Sequence, residues 1–118
     1  TYKKDNGVWV LNTQTIVFPQ RFQIVEQSIV YIPPHQYGGN HKHPRVECFI
    51  GIGNDLELWW QDEQGRTNKE LMNDSNLCLF LMPSYVPHLV YNGSSEHPAI
   101  LYEYANDKQH DVVTASLI

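Results

Sequence analysis

The sequence predicts an all-β sandwich or barrel. Two observations carry that expectation. Short apolar runs alternate with turn residues along the whole chain, and no window keeps a helical period beyond about two turns. The size agrees, since 118 residues match one domain with a core of its own, and 42% of them are hydrophobic.

The expected strands run in order. Val8–Leu11 and Phe22–Val25 come first, then Ser28–Ile32, rich in β-branched residues and stopped by Pro33-Pro34. Glu47–Ile52 ends at Gly53-Asn54-Asp55, a hairpin turn. Leu56–Gln61 ends at Asp62-Glu63-Gln64-Gly65, and Arg66–Met72 at Asn73-Asp74-Ser75-Asn76. Leu77–Met82 stops at Pro83, His88–Tyr91 at Asn92-Gly93, and Ala99–Ala105 closes the series. Several strands are apolar on both faces: Cys48, Ile50 and Ile52 alternate with Phe49 and Gly51. Both faces are therefore covered, by a second sheet on one side and a partner subunit on the other. A homodimer follows as an expectation.

The net charge is −5, with only eight scattered Lys and Arg, so neither nucleic acid nor an anionic membrane is expected as a partner. Apolar runs are too short for a membrane span. Cys48 and Cys78 form no Cys-x-x-Cys pair and read as buried side chains in a reducing, cytoplasmic setting, with a single disulfide as the alternative. The chain begins at Thr1 rather than Met, and no leader is legible there.

The chemistry concentrates in Gly38-Gly39-Asn40-His41-Lys42-His43-Pro44-Arg45-Val46-Glu47. Residues two apart on a strand share a face, so His41 and His43 aim at one spot. On a straight strand Glu47 would lie about 13 Å beyond His43, too far for ligands about 2 Å from one ion. The chain must turn, and Pro44 favours a corner. A second segment, Pro83-Ser84-Tyr85-Val86-Pro87-His88, places His88 at the start of a strand. His41, His43, Glu47 and His88 make a mixed nitrogen–oxygen set. It suits one divalent transition metal (iron, manganese, nickel, copper, cobalt or zinc) and leaves two octahedral positions open.

These segments resemble the paired motifs of the cupin superfamily. His41, His43, Glu47 and Gly53 match its first motif, and Pro83, His88 and Asn92 its second. Two family glycines are replaced, one by His35 and one by Tyr85; Gly38 and Gly39 are expected to make the first turn instead. The resemblance runs from about Ile32 to Tyr104. It implies a single jelly-roll (double-stranded β-helix) barrel over residues 1–118 and a metal on the quartet.

Candidates for contact with a small-molecule substrate are His35, Arg45, Tyr85 and Tyr102, with packing or solvation as the plainer reading of each. His97 and His110 read as solvated. Glu103 sits in an apolar strand and either faces water or pairs inside the barrel. The catalytic residues themselves are not assigned by the sequence. Three functions fit. The first is a metal-dependent dioxygenase, isomerase or lyase acting on a small organic molecule. The second is a metal-independent isomerase using His41 and His43 as acid and base, resembling the sugar 3,4-ketoisomerases through Gly7-Val8-Trp9-Val10 and the His pair. That family's arginine-glycine lead-in is Gly39-Asn40 here. The third is a ligand-binding module without catalysis.

Overall fold

The computed structural model describes residues 2–73 and 77–118. Two antiparallel sheets face each other. One has four strands in the order β3 (Glu26–Ile32), β10 (Ala99–Ala105), β5 (Glu47–Ile52), β8 (Phe80–Met82). The other has five, in the order β11 (Val113–Thr114), β4 (Tyr37–Lys42), β9 (His88–Asn92), β6 (Leu56–Gln61), β7 (Thr67–Leu71). A small ribbon, β1 (Tyr2–Lys3) with β2 (Trp9–Val10), stands apart. One 3-10 turn at Thr13–Thr15 is the only helical element among the described residues, and none is long and apolar enough to cross a membrane.

The core lies between the sheets. Phe49 on β5, Leu101 on β10, Leu58 on β6 and Val90 on β9 all point inward and are 2–3% exposed. Alternation along each strand fixes what else shares that face: Glu47 with Phe49, Glu103 with Leu101, and His88 with Val90. Gly51 and Gly53 answer to space rather than to backbone freedom. A Cβ on Gly53 would stand 2.8 Å from the Ala99 Cβ, and one on Gly51 would stand 2.5 Å from Leu56 Cδ2.

The second apolar face of β5 and β10 is covered by the chain itself. Leu11, Ile16, Phe18 and Phe22 pack onto Cys48, Ile50 and Tyr104. Phe18 stacks with Phe22 at 5.6 Å and meets Tyr104 edge-on at 5.1 Å. Hence Phe22–Val25 is no strand: the segment is an arm held by aromatic contacts, with Arg21 at φ 69°. Further along the same outer face, Ile29 and Tyr31 of β3 stay uncovered at 69% and 63% exposure.

Other boundaries shift by a few residues. The third strand starts at Glu26, the eighth is confined to Phe80–Met82, and the ribbon strand Tyr2–Lys3 and the C-terminal β11 carry no sequence signal strong enough to mark them. Of the turn Asn73-Asp74-Ser75-Asn76, Asp74 to Asn76 lie outside the described residues. Cys48 is buried, as expected, and Cys78 is exposed.

Candidate metal centre

Four side chains from three strands and one corner meet at one end of the barrel. His88 arrives by simple alternation: it opens β9 and faces inward with Val90 and Asn92. His41 needs a device. Gly38 pairs with Val90 on the inner face and Gly39 with Leu89 on the outer one, so unbroken alternation would put His41 outside. A register shift between Gly39 and His41 reverses that, and His41 pairs with His88. Gly39 at φ 95° and Asn40 at φ 68° make the bulge. Such an extra residue re-aims the side chain that follows it.

The C-terminal tail holds the bulge. Ala115 N donates to Asn40 O at 2.8 Å, Leu117 N donates to Asn40 Oδ1 at 2.9 Å, and β11 pairs with Lys42 and His41. After Lys42 the chain leaves the strand, bends at Pro44-Arg45 and re-enters the facing sheet at Glu47. The corner demanded by the spacing is therefore present.

The ligand atoms of His41, His43, Glu47 and His88 all lie within 4.8 Å of one another. Glu47 Oε1 is 2.9 Å from His43 Nε2 and 3.2 Å from His88 Nε2. Neighbouring ligands about 2.1 Å from one octahedral ion would stand about 3.0 Å apart. The rings are already oriented: His43 Nδ1 donates to Arg45 O at 3.1 Å and His88 Nδ1 to Val86 O at 2.8 Å. In the neutral rings each Nε2 then carries a lone pair, as a metal ligand requires. His43 Nε2 is buried with no hydrogen-bond partner, although Glu47 Oε1 stands 2.9 Å away. A buried nitrogen left without a partner is costly, and a metal ion there would satisfy it. The quartet is able to hold a metal.

Arg45 organises the carboxylates. Its Nε and Nη2 reach Glu47 Oε2 at 2.9 and 2.7 Å, leaving Oε1 for the centre. Nη2 also donates to Glu103 Oε1 and Nη1 to Glu26 Oε2, each at 2.7 Å. Burial alone would raise the Glu47 pKa, but a hydrogen bond with His88 and the charges of His43, His88 and Arg45 outweigh it and bring it to about 2. Glu103 goes the other way. Burial, the Glu47 charge and a hydrogen bond with Glu47 push it up to about 7 against the pull of Arg45. Burial, with the His88 and His43 charges, lowers His41 to about 4, and burial also lowers His43.

A cavity of about 180 Å³ adjoins the quartet, lined by His41, Glu47, His88, Gly38, Glu103 and apolar neighbours. None of the residues expected from the sequence to contact substrate lines it. Arg45 is 8% exposed and spent on three carboxylates. Tyr102 is on the outer face with Cys48 and Ile50, because Leu101 and Glu103 take the inward positions. His35 is exposed in the β3–β4 turn, its Nδ1 3.3 Å from Tyr91 Oη, and Tyr85 is exposed in the β8–β9 loop. Both adopt positive φ, 58° and 61°, so each makes the turn its missing glycine would make. Gly38 and Gly39 do not replace His35 in that role; they shape the bulge and the cavity wall. Asn92 is a staple, donating from Nδ2 to Ile32, Pro33 and His97 carbonyls. Glu103 and Gln109 are the lining residues that sequence reasoning left unassigned; for Glu103 the inward parity shared with Leu101 was the available signal.

No family model and no curated protein matches the sequence. Solved structures do. CapF, the capsular polysaccharide assembling protein of Staphylococcus aureus, superposes with a TM-score of 0.69 at 15% identity over 78% of this chain and 27% of its own. A dTDP sugar isomerase from Desulfovibrio desulfuricans G20 gives 0.69 at 18% identity over 96% of this chain and 77% of its own. Oxalate oxidase in complex with glycolate gives 0.63 at 15% identity over 75% of this chain and 44% of its own. The chain thus spans about a quarter of the CapF chain and less than half of the oxalate oxidase chain it resembles. With two facing antiparallel sheets, the two motifs folded together and these likenesses, the chain has the cupin fold.

Proposed function

We propose that this protein is a metal-dependent enzyme for a small organic substrate, of the dioxygenase, isomerase or lyase kind. One observation carries the reading: His43 Nε2 is buried and partnerless beside the Glu47 Oε1 that Arg45 leaves unclaimed. A divalent ion held by His41, His43, Glu47 and His88 would supply Lewis-acid or oxygen-activating chemistry at its open positions. The chain does the rest. Arg45 keeps Glu47 to one ligating oxygen, the two backbone carbonyls fix the tautomers of His43 and His88, and apolar walls such as Val90 and Leu101 exclude water.

The second reading is a histidine acid–base isomerase, favoured by the likeness to the dTDP sugar isomerase over 96% of this chain. Against it stands the electrostatics. Burial lowers His41 to about 4, so its ring is neutral at pH 7 and suits a base but not an acid. Among the described residues no Lys or Arg lines the cavity to meet a diphosphate.

Elemental analysis of the purified protein beside a His41→Ala variant separates the two. About one equivalent of a transition metal, missing from the variant, is the expected result. A wild-type protein that takes up none of the six candidate metals when each is offered in excess would leave the isomerase reading in front.

A further inference from the structure

The cavity beside the quartet has walls of unequal chemistry. Val30, Phe49, Val90 and Leu101 are apolar, and beyond the ligand residues only Glu103 and Gln109 add polar side chains. Glu103 lines the chamber, with Oε1 fixed by Arg45 Nη2 and its side chain 21% exposed. Opposite stands Gly38. A Cβ added there would meet nothing within 4 Å, and the residue has no positive φ. Its missing side chain is therefore chamber space rather than a need of the turn. The chamber volume is about 180 Å³. Drug-sized ligands need about 300 Å³ or more.

We propose that Gly38 and Glu103 set the substrate class. The chamber takes a compact molecule, well below drug size. One end carries oxygens for the metal. The other carries a hydroxyl or amine that Glu103 hydrogen-bonds. A second anionic group is excluded, because no Lys or Arg among the described residues lines the chamber to receive it. This rests on the metal-centre reading above.

The test uses the full chain loaded with cobalt(II), whose visible spectrum changes when a ligand enters an open position. Azide, lactate, glycerate and mandelate are titrated separately. Lactate and glycerate share the metal-binding head, glycerate adds one hydroxyl, and mandelate adds a ring. The wild type is expected to bind azide and lactate, glycerate about tenfold tighter, and mandelate not at all. Gly38→Val is expected to keep cobalt and azide and to lose lactate and glycerate. Should Gly38→Val fail to fold, Gly38→Ala is expected to weaken glycerate without touching azide. Glu103→Leu is expected to bring glycerate down to lactate. Mandelate binding as tight as lactate, or lactate and glycerate unchanged in the Gly38 variants, overturns the size assignment. Glycerate retaining its advantage in Glu103→Leu overturns the Glu103 assignment. A wild type that takes up no cobalt fails the metal-centre reading instead, and is told apart from both.

Discussion

Two segments deliver histidines to the same point by different means. β9 presents His88 by plain alternation, with His88, Val90 and Asn92 all buried and no bulge within the strand. The Gly38–Glu47 segment presents three ligands and needs support at each. It has two consecutive positive-φ residues, a corner at Pro44-Arg45, a buried guanidinium tied to three carboxylates, and a C-terminal tail strapped across the bulge. A regular strand places one side chain well. Converging several ligands from one short stretch takes irregular backbone, and irregular backbone must be held by the rest of the chain.

The contrast is broken most severely at Arg45. Arg45→Ala would leave the buried Glu47 and the half-buried Glu103 beside each other without their shared cation. Removing one partner of a buried ion pair costs about 3–5 kcal/mol. Urea unfolding of the metal-free protein at pH 7 reads that loss, and Arg45→Ala unfolding at the wild-type midpoint would show that the guanidinium is dispensable.

A smaller break is aimed at the bulge alone. Asn40→Val puts a β-branched side chain at φ 68° and removes the acceptor for Leu117 N. Metal affinity is expected to fall about 10–100-fold, the range for lost outer support of a ligand. Competition against a chromophoric chelator measures it. Asn40→Gly keeps the backbone and loses only the side-chain bond, so its drop should be the lesser. Equal affinities in all three proteins would mean that His41 does not depend on the bulge.

The acid–base balance of the site sharpens the comparison further. His41 falls from 6.5 to about 4 on folding, so the folded metal-free protein binds fewer protons than the unfolded chain between those values. Its contribution to stability is complete above about 6.5 and is lost as the pH falls toward 4. His43, also lowered, acts in the same direction. Glu103 rises from 4.5 to about 7, so its contribution is complete below 4.5 and is lost as the pH climbs through 7. Between about 4.5 and 6.5 the two oppose each other. His41→Asn removes the first, so the stability of the metal-free variant should fall relative to wild type on going from pH 4.5 to 7. Parallel curves for the two proteins would contradict the shift assigned to His41.

The same contrast explains what was legible in the sequence. Alternation and turn residues mark β5, β6, β9 and β10, and with them the inward places of Glu47 and His88. The spacing from His43 to Glu47 demands a corner, and the chain makes one. The bulge was not legible, because Gly39-Asn40 reads as any turn-forming pair and only the pairing with β9 shows that one residue is extra. The arm was missed for a related reason. Phe18 and Phe22 are held by aromatic packing on Tyr104, which leaves no period in the sequence. Arg45 looked available to substrate because its three carboxylates, Glu26, Glu47 and Glu103, are brought around it only by folding.

The smallest expected effect lies in the loop leading into β9. Tyr85 holds φ 61° where the cupin motif has glycine, is 59% exposed, and engages the site only through its backbone N–H, which donates to His43 O at 2.8 Å. A side chain in the left-handed region costs about 1–2 kcal/mol. Glycine removes that strain and gives back about 0.5–1 kcal/mol through the freer unfolded chain. Tyr85→Gly should therefore raise stability by up to about 1.5 kcal/mol, seen as a higher thermal midpoint, with metal content unchanged. His35→Gly relieves a similar strain at φ 58° but gives up the contact with Tyr91 Oη, so its gain should be smaller. If Tyr85→Gly instead lowers the midpoint, the exposed ring contributes more than its backbone costs, and β9 needs support of its own after all.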